Sequence, residues 1–367
     1  MHKPKIGVIG LKGLPAFGGA ARSMENVILR LKDKYDFTIY AIETHVPDDV
    51  SEYEYNQIVF KSRKNNKLNI LLYYWKSLFH SLFLSNYDAI HLNHLESGFI
   101  TPFLKLKYRV ILTAHGIFKY YDDKFNKLDN LFFKISEKIN LVFSDIIISV
   151  SKPNVEYCKS KTRKKVVFIP NGVNLEEAFS NQIEIKDFIL FSAARLYSIK
   201  GCHILIEALK KINYKGKVVI IGDLHQVPNY GKYIKKISTS LNVEFVDLIK
   251  QKEQLMEYIV KAKIFIFPSL YEAMSNTLLE VISMKTPIIC SDIEANTAIL
   301  SEEETIFFKS NDSDDLARKI VHALKSETRL KQLAENAYKK IVENYTWDKI
   351  SNQYDVIYSG FIFDRDK

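Results

Sequence analysis

The stretch Phe267-Pro-Ser-Leu-Tyr-Glu-Ala-Met-Ser-Asn-Thr-Leu-Leu-Glu280 joins the end of an apolar, strand-like run to the start of an apolar helical pattern that continues as Val-Ile-Ser-Met. A strand that runs through a small polar Ser-Asn-Thr turn into a helix leaves the first N–H groups of that helix without intrahelical acceptors. The helix dipole favours an anion at the same place. Two carboxylates flank the turn: Glu272 on the loop before it, and Glu280 about two helical turns further along. A phosphate cradle between two groups that accept hydrogen bonds from hydroxyls points to a sugar nucleotide.

The strand–turn–helix pattern repeats along the chain. Apolar runs suited to strands occur at 6–9, 37–42, 88–92, 110–113, 145–150 and 166–169, and again at 188–193, 218–221, 243–245, 264–267 and 287–290. Several are apolar on both faces, as parallel strands buried between helices are. Longer helical patterns separate them, which predicts a doubly wound α/β architecture. The two groups of strands are divided near 171–186, where Asn171-Gly172 signals a turn and a polar segment follows. The expected division is 1–175, a first Rossmann-like domain; 186–344, a second one that carries the sugar-nucleotide turn; and 345–367, a terminal aromatic helix.

Further motifs sit where such sheets bind ligands. Ile9-Gly-Leu-Lys-Gly-Leu-Pro-Ala-Phe-Gly-Gly-Ala-Ala-Arg22 follows the first strand, and its glycines allow close backbone approach to a ligand. Ser192-Ala-Ala-Arg-Leu-Tyr-Ser-Ile-Lys-Gly201 ends a strand of the second group. Its Arg195 can grip phosphate oxygens in a bidentate way, and its Lys200 adds a point charge. Thr113-Ala-His-Gly116 places His115 at the end of a buried strand, and Pro170-Asn-Gly-Val173 marks the turn between the groups.

Taken in order, Gly-Gly, His-Gly, Pro-Asn-Gly-Val, Arg-x4-Lys-Gly and Glu-x7-Glu resemble the motif series of family-4 retaining glycosyltransferases. The Gly-Leu-Pro-Ala-x-x-Gly-Gly loop is similar to that of a branch working in surface-polysaccharide (capsule and O-antigen) assembly. The resemblance implies a GT-B fold: two Rossmann-like domains facing across a cleft, with a terminal helix crossing back to the first. It implies that Gly18 and Gly19 approach the donor diphosphate, and that Arg195 and Lys200 neutralise the leaving nucleoside diphosphate. By the same resemblance Glu272 contacts the donor sugar, Glu280 the ribose, and the backbone of Met274, Ser275, Asn276 and Thr277 the diphosphate. His115 would lie beside the reacting sugar. Many relatives carry Glu two residues after the second glycine; here the position is Ala21, so no role for that Glu carries over.

The implied activity is transfer of a sugar from a nucleoside diphosphate sugar to a hydroxyl of a lipid-linked or growing polysaccharide acceptor. No cofactor or metal would be needed, since fixed charges and dipoles stabilise the leaving group. Two alternatives share the motifs: a GT-B epimerase or hydrolase of sugar nucleotides, and a non-enzymatic binding protein. Asp312-Ser-Asp314 fits a metal-binding pattern elsewhere but precedes a helical run, and reads as an acidic helix start.

The net charge of +9 is almost all in the first half, where residues 1–180 carry 26 Lys and Arg against 18 Asp and Glu. An anionic membrane surface or a pyrophosphate-linked acceptor fits this imbalance. Nucleic acid is not expected, because no basic recognition helix or aromatic RNA motif occurs. The three cysteines, Cys158, Cys202 and Cys290, lack metal-ligand spacing, and Cys202 and Cys290, in apolar surroundings, read as core thiols. With no run of about 18 apolar residues, the expected location is cytoplasmic, including peripherally at the inner face of the inner membrane. Ile70–Leu84, behind Lys61, Arg63, Lys64 and Lys67, reads as a helix packed inside the domain. Its wide apolar face and narrow polar strip (Lys76, Ser77, His80 and Ser81) also fit a membrane interface.

Overall fold

The computed structural model describes residues 3–15, 19–46, 55–62, 68–117, 127–175, 186–249 and 251–363. The chain divides into two compact units, one formed by Met1–Asn171 with Trp347–Lys367 and the other by Gly172–Thr346.

The first unit is built on a sheet of β1 (Lys5–Lys12), β2 (Asp36–Ile42), β3 (Asn56–Phe60), β4 (Ala89–Asn93), β5 (Val110–Ala114), β6 (Ile146–Ser149) and β7 (Lys165–Phe168). The order is β3-β2-β1-β4-β5-β6-β7, with every pairing parallel. Between the strands run α1 (Gly19–Leu31), α2 (Leu68–Phe83), α3 (Thr101–Leu104), α4 (Lys127–Phe143) and α5 (Lys152–Lys161). Side chains alternate between faces: Ile6, Val8, Phe37, Ile39 and Ile111 enter one core cluster, and Ile9, Tyr40, Ile90, Leu92 and Leu112 enter another.

The second unit has β8 (Lys186–Arg195), α6 (Cys202–Lys211), β9 (Lys217–Asp223), α7 (Pro228–Ile237), β10 (Asn242–Val246), α8 (Lys252–Lys261) and β11 (Ala262–Phe267). It continues with α9 (Asn276–Ser283), β12 (Ile288–Ser291), α10 (Glu294–Thr297), β13 (Ile306–Phe308), α11 (Ser313–Leu324) and α12 (Glu327–Asn344). Its strand order is β10-β9-β8-β11-β12-β13, again all parallel. In each sheet the winding reverses direction beside the first strand, between β1 and β4 and between β8 and β11. Open α/β sheets hold ligands outside the strand carboxyl ends at such a reversal.

The terminal helix α13 (Trp347–Phe363) returns to the first unit. Its Trp347, Ile350, Tyr354, Ile357, Tyr358 and Phe361 recur at helical spacing and enter the same cluster as Met24, Val27 and Leu31 of α1. Each large side chain buried in this way contributes about 2 kcal/mol of apolar transfer. Arg30 Nε to Asp348 Oδ1 (2.6 Å) and Arg109 over the Phe361 ring (4.0 Å to the centroid) fix its edges. The break between units follows Asn171. Val173 N–H donates to Tyr345 O (2.8 Å), so the two chain crossings lie side by side within the second unit.

Two strands escape the sequence reading, β3 and β13. Each closes a sheet edge with one partner strand, and β3 is only half-buried. The helix over Ile70–Leu84 does not pack wholly inside. Tyr73, Tyr74 and Leu78 are buried, whereas Leu72, Trp75, Phe79 and Phe83 face outward. Its basic flank Arg63, Lys64 and Lys67 lies outside the described residues.

Candidate functional site

In the second unit, β8 ends at Arg195 and the chain turns through Ser198–Lys200 into α6. Gly201 makes the turn possible. Its φ is +72°, a left-handed conformation, and a Cβ there would stand 1.9 Å from Pro268 O. Leu270 N–H donates to Ile199 O at 2.8 Å, so the loop after β8 is sewn to the loop after β11. That stitching places Lys200 Nζ 2.6 Å from Glu272 Oε1. Ser269 Oγ donates to the same oxygen at 2.8 Å, fixing the carboxylate from its other side.

The pair is only partly shielded, with Lys200 22% and Glu272 11% exposed. Burial disfavours the Lys200 ammonium, and Arg195 repels it. The charge and hydrogen bond of Glu272 outweigh both, so the Lys200 pKa lies above the ordinary lysine value. Arg195 pairs with Asp223 of β9 in the ladder, while its exposed side chain makes no hydrogen bond or ion pair among the described residues. Two cations against one carboxylate leave a local excess of positive charge.

The helix that follows adds to that field. Ser275 is the N-cap of α9, and its Oγ accepts the N–H of Leu278 at 3.2 Å. The N–H of Thr277, in the first turn, has no acceptor within the helix ladder. Met274 and Ser275 are buried at the loop. Glu280 lies one turn into α9 and is 8% exposed. It is nearer the helix start than its sequence distance from Glu272 implies, because residues 272–275 form loop and not helix.

In the first unit, His115 follows β5. Its Nε2 lies 3.2 Å from Asn93 Oδ1 at the end of β4, and an amide oxygen only accepts, so Nε2 carries the proton. The other ring nitrogen, Nδ1, is buried without a hydrogen-bond partner among the described residues, as is Asn93 Nδ2. The His94 ring lies 5.3 Å from that of His115, held there by a backbone with φ +74°. Burial, then the charge of His94, pushes the His115 pKa well below the ordinary histidine value. Burial and Lys12 push His94 down to about 3. Both rings are therefore neutral at physiological pH.

His91 is not at a binding surface. It is fully buried, with Nδ1 2.7 Å from Tyr358 Oη and Nε2 2.7 Å from Thr113 Oγ1, and ties α13 to the sheet. Gly19 opens α1, where the single hydroxyl proton of Ser23 is shared between Gly19 O (2.9 Å) and Asn171 Oδ1 (3.0 Å). Gly18 lies outside the described residues. Asp312 is the N-cap of α11, its carboxylate accepting from Asp314 and Asp315 N–H. Among the described residues no group of three His, Cys, Asp or Glu side chains could hold a metal ion.

The structure thus joins Lys200 to Glu272 and sets Arg195 nearby, while His115 and Gly19 belong to the other unit. Sequence reasoning missed three residues: Ser269, His94 and Asn93. Ser269 stood inside the motif, three residues before Glu272. Asn93 and His94 gave no such signal, because the backbone turn at His94 (φ +74°) that sets its ring beside His115 is not written in a motif.

A model of glycosyl transferases group 1 matches residues 174–340, and a model of glycosyltransferase family 4 matches residues 17–177. An uncharacterized glycosyltransferase of Methanocaldococcus jannaschii is 27% identical over 356 residues, covering 91% of this chain and 92% of the relative. The UDP-Gal:alpha-D-GlcNAc-diphosphoundecaprenol alpha-1,3-galactosyltransferase of Escherichia coli is 25% identical over 305 residues, 76% of this chain and 78% of that one. The solved sucrose-phosphate synthase of Thermosynechococcus elongatus superposes with a TM-score of 0.83 at 20% identity, over 99% of this chain and all of that one. With one model on each Rossmann-like unit and a full-length fold match, the chain belongs to the family-4 glycosyltransferases of the GT-B fold.

Proposed function

We propose that this glycosyltransferase moves a sugar, with retention of anomeric configuration, from a nucleoside diphosphate sugar to a hydroxyl of a lipid-linked or growing polysaccharide acceptor. The observation that carries the donor reading is the Lys200–Glu272 pair beside Arg195 and the N-terminus of α9. Its charge excess and first-turn N–H groups suit a diphosphate, and Glu272 keeps one oxygen, Oε2, for sugar hydroxyls. Arg195, Lys200 and the 274–277 backbone would stabilise the departing nucleoside diphosphate. Glu280 would hold the ribose. No protein nucleophile is assigned, and the acceptor proton would pass to a phosphate oxygen of the leaving group.

For the first unit, the role proposed for His115 is at the reacting sugar, and that proposed for Gly18 and Gly19 is at the diphosphate. A lipid-diphosphate acceptor is supported by the name of the E. coli relative and by the basic first half of the chain. No helix among the described residues is long and apolar enough to cross a membrane, so such an acceptor would be met peripherally.

The test is a panel of nucleoside diphosphate sugars read by thermal shift and by nucleoside diphosphate release, with and without EDTA and a polyprenyl-diphosphate sugar. One donor should stabilise the protein and turn over only with acceptor, with the anomeric configuration of the product read by NMR. A folded protein that no donor stabilises refutes the reading. Turnover to free sugar or an epimer without acceptor favours the hydrolase or epimerase alternative.

A further inference from the structure

Two helices of the first unit carry large apolar side chains on their outer faces, α2 in addition to the Tyr73, Tyr74 and Leu78 it buries. On α2, Ser77 and Ser81 are fully buried and return their hydroxyls to the carbonyls of Tyr73 (2.8 Å) and Leu78 (2.9 Å), while Leu72 (49%), Trp75 (44%) and Phe79 (58%) are exposed. On α4, Ser136 and Asn140 are buried. Asn140 Nδ2 donates to Leu95 O at 2.9 Å, and its Oδ1 accepts from Thr101 Oγ1 at 2.6 Å, while Leu131 and Ile135 face out. Gly98 lets α4 come close, since a Cβ there would stand 1.8 Å from Ser136 O. A surface helix bathed only by water places its apolar stripe inward.

The outward faces form one surface. The Trp75 ring is 5.9 Å from those of both Phe99 and Phe103, and Phe99 is 5.5 Å from Phe132. A connected apolar surface across several elements marks an interaction site. Its charges are mostly cationic: α2, α4 and the 101–107 segment carry Lys76, Lys107, Lys127, Lys134 and Lys138 against Asp129 and a buried Glu137, while Lys105 is paired with Asp145 at 2.6 Å.

We infer that this face of α2, α3 and α4 is a docking surface for an anionic lipid bilayer, with Trp75, Phe79, Phe103 and Ile135 entering the interface. Apolar side chains in the acyl boundary and lysines at the headgroups are the two attractions that hold peripheral proteins. A second copy of the chain is disfavoured as the occupant, because it would oppose lysines to lysines. The inference rests on the proposed lipid-linked acceptor, and it identifies the surface that would bring the enzyme to it.

The two tryptophans supply the test, since Trp75 is on the surface and Trp347 is buried. The full chain is mixed with vesicles of equimolar phosphatidylglycerol and phosphatidylcholine, or of phosphatidylcholine alone, and followed by flotation and fluorescence. Phosphatidylglycerol vesicles should bind it, shift the emission to the blue and allow quenching by brominated acyl chains. The emission response should vanish in Trp75→Phe. Phe79→Ser with Ile135→Ser, at exposed positions and with Trp347 emission as the folding check, should weaken partition by about tenfold or more. Lys134→Glu should weaken it by about fivefold.

Absence of vesicle binding, or binding that the Phe79/Ile135 variant leaves unchanged, overturns the inference. So does a lipid-free dimer that produces the same Trp75 shift. Donor-induced thermal shift on the same samples separates the two readings: a retained donor response without vesicle binding removes only the docking surface, and the converse removes only the donor site.

Discussion

Lys200 and Glu272 stand 72 positions apart in sequence and 2.6 Å apart between Nζ and Oε1. The contact is a consequence of Gly201, which brings the loop after β8 against the carbonyl of Pro268. Lys200→Ala removes a cation proposed for the leaving diphosphate, so donor-induced thermal stabilisation should disappear and kcat fall by about 100-fold. Glu272→Gln keeps the shape of the side chain but not its charge. It should retain nucleoside diphosphate binding while losing turnover of the sugar donor. A Glu272→Gln enzyme with wild-type kcat/KM would remove Glu272 from the site.

Gly201→Ala tests whether the loop junction holds the site. An L residue at φ +72° with its Cβ in contact with a backbone carbonyl costs about 1–3 kcal/mol of strain. The expected outcome is a lower midpoint for the second unit in urea, with donor binding weakened more than by a control substitution at the exposed Lys232. An Ala variant that binds donor normally would show that Lys200 and Glu272 meet without the glycine.

Asn93 governs which nitrogen of His115 is protonated. With Nε2–H given to Asn93 Oδ1, Nδ1 keeps its lone pair for a ligand. Asn93→Ala should lower kcat by about tenfold with little change in KM for the donor. Because burial and His94 depress the His115 pKa, its neutral form persists into acid. The pH profile of kcat should therefore show no acid limb near the ordinary histidine value of about 6.5. A limb at that pH that moves in His94→Ala would contradict the assignment.

Eleven strands and both halves of the fold were legible because buried parallel strands write themselves as short apolar runs. The edge strands β3 and β13 were not: Asn56-Gln-Ile-Val-Phe60 carries two amides, and Ile306–Phe308 is only three residues long. The second-unit site was legible through motif order, but its joining hydrogen bonds were not, because Ser269 and Leu270 act through loop geometry. The outward face of α2 was misread for a physical reason. α2 is apolar on more than one face, and the sheet takes only the one that holds Tyr73, Tyr74 and Leu78 together with Ser77 and Ser81, leaving Leu72, Trp75 and Phe79 outside.

The acid stability of the first unit should be set in part by His91. Burial, then the charge of His115, pushes its pKa down to about 3, while the unfolded chain titrates near the ordinary histidine value. Between those two values the unfolded state binds a proton that the folded state refuses. Stability is therefore fully present above about pH 6.5 and falls with acidification by about 1.4 kcal/mol per pH unit from this residue alone. His94 and His115 act in the same direction, so wild type should lose stability faster than one histidine explains. His91→Gln cannot titrate and should reduce the slope by about that single-proton amount, whatever its effect at neutral pH. Tyr358→Phe removes the hydroxyl 2.7 Å from Nδ1 and should cost about 1–2 kcal/mol at neutral pH while leaving most of the slope in place. Both tryptophans belong to the first unit, so urea unfolding followed by tryptophan emission at several pH values isolates it from the second. Equal slopes for wild type and His91→Gln would mean that His91 takes up its proton in the folded state as readily as in the unfolded chain.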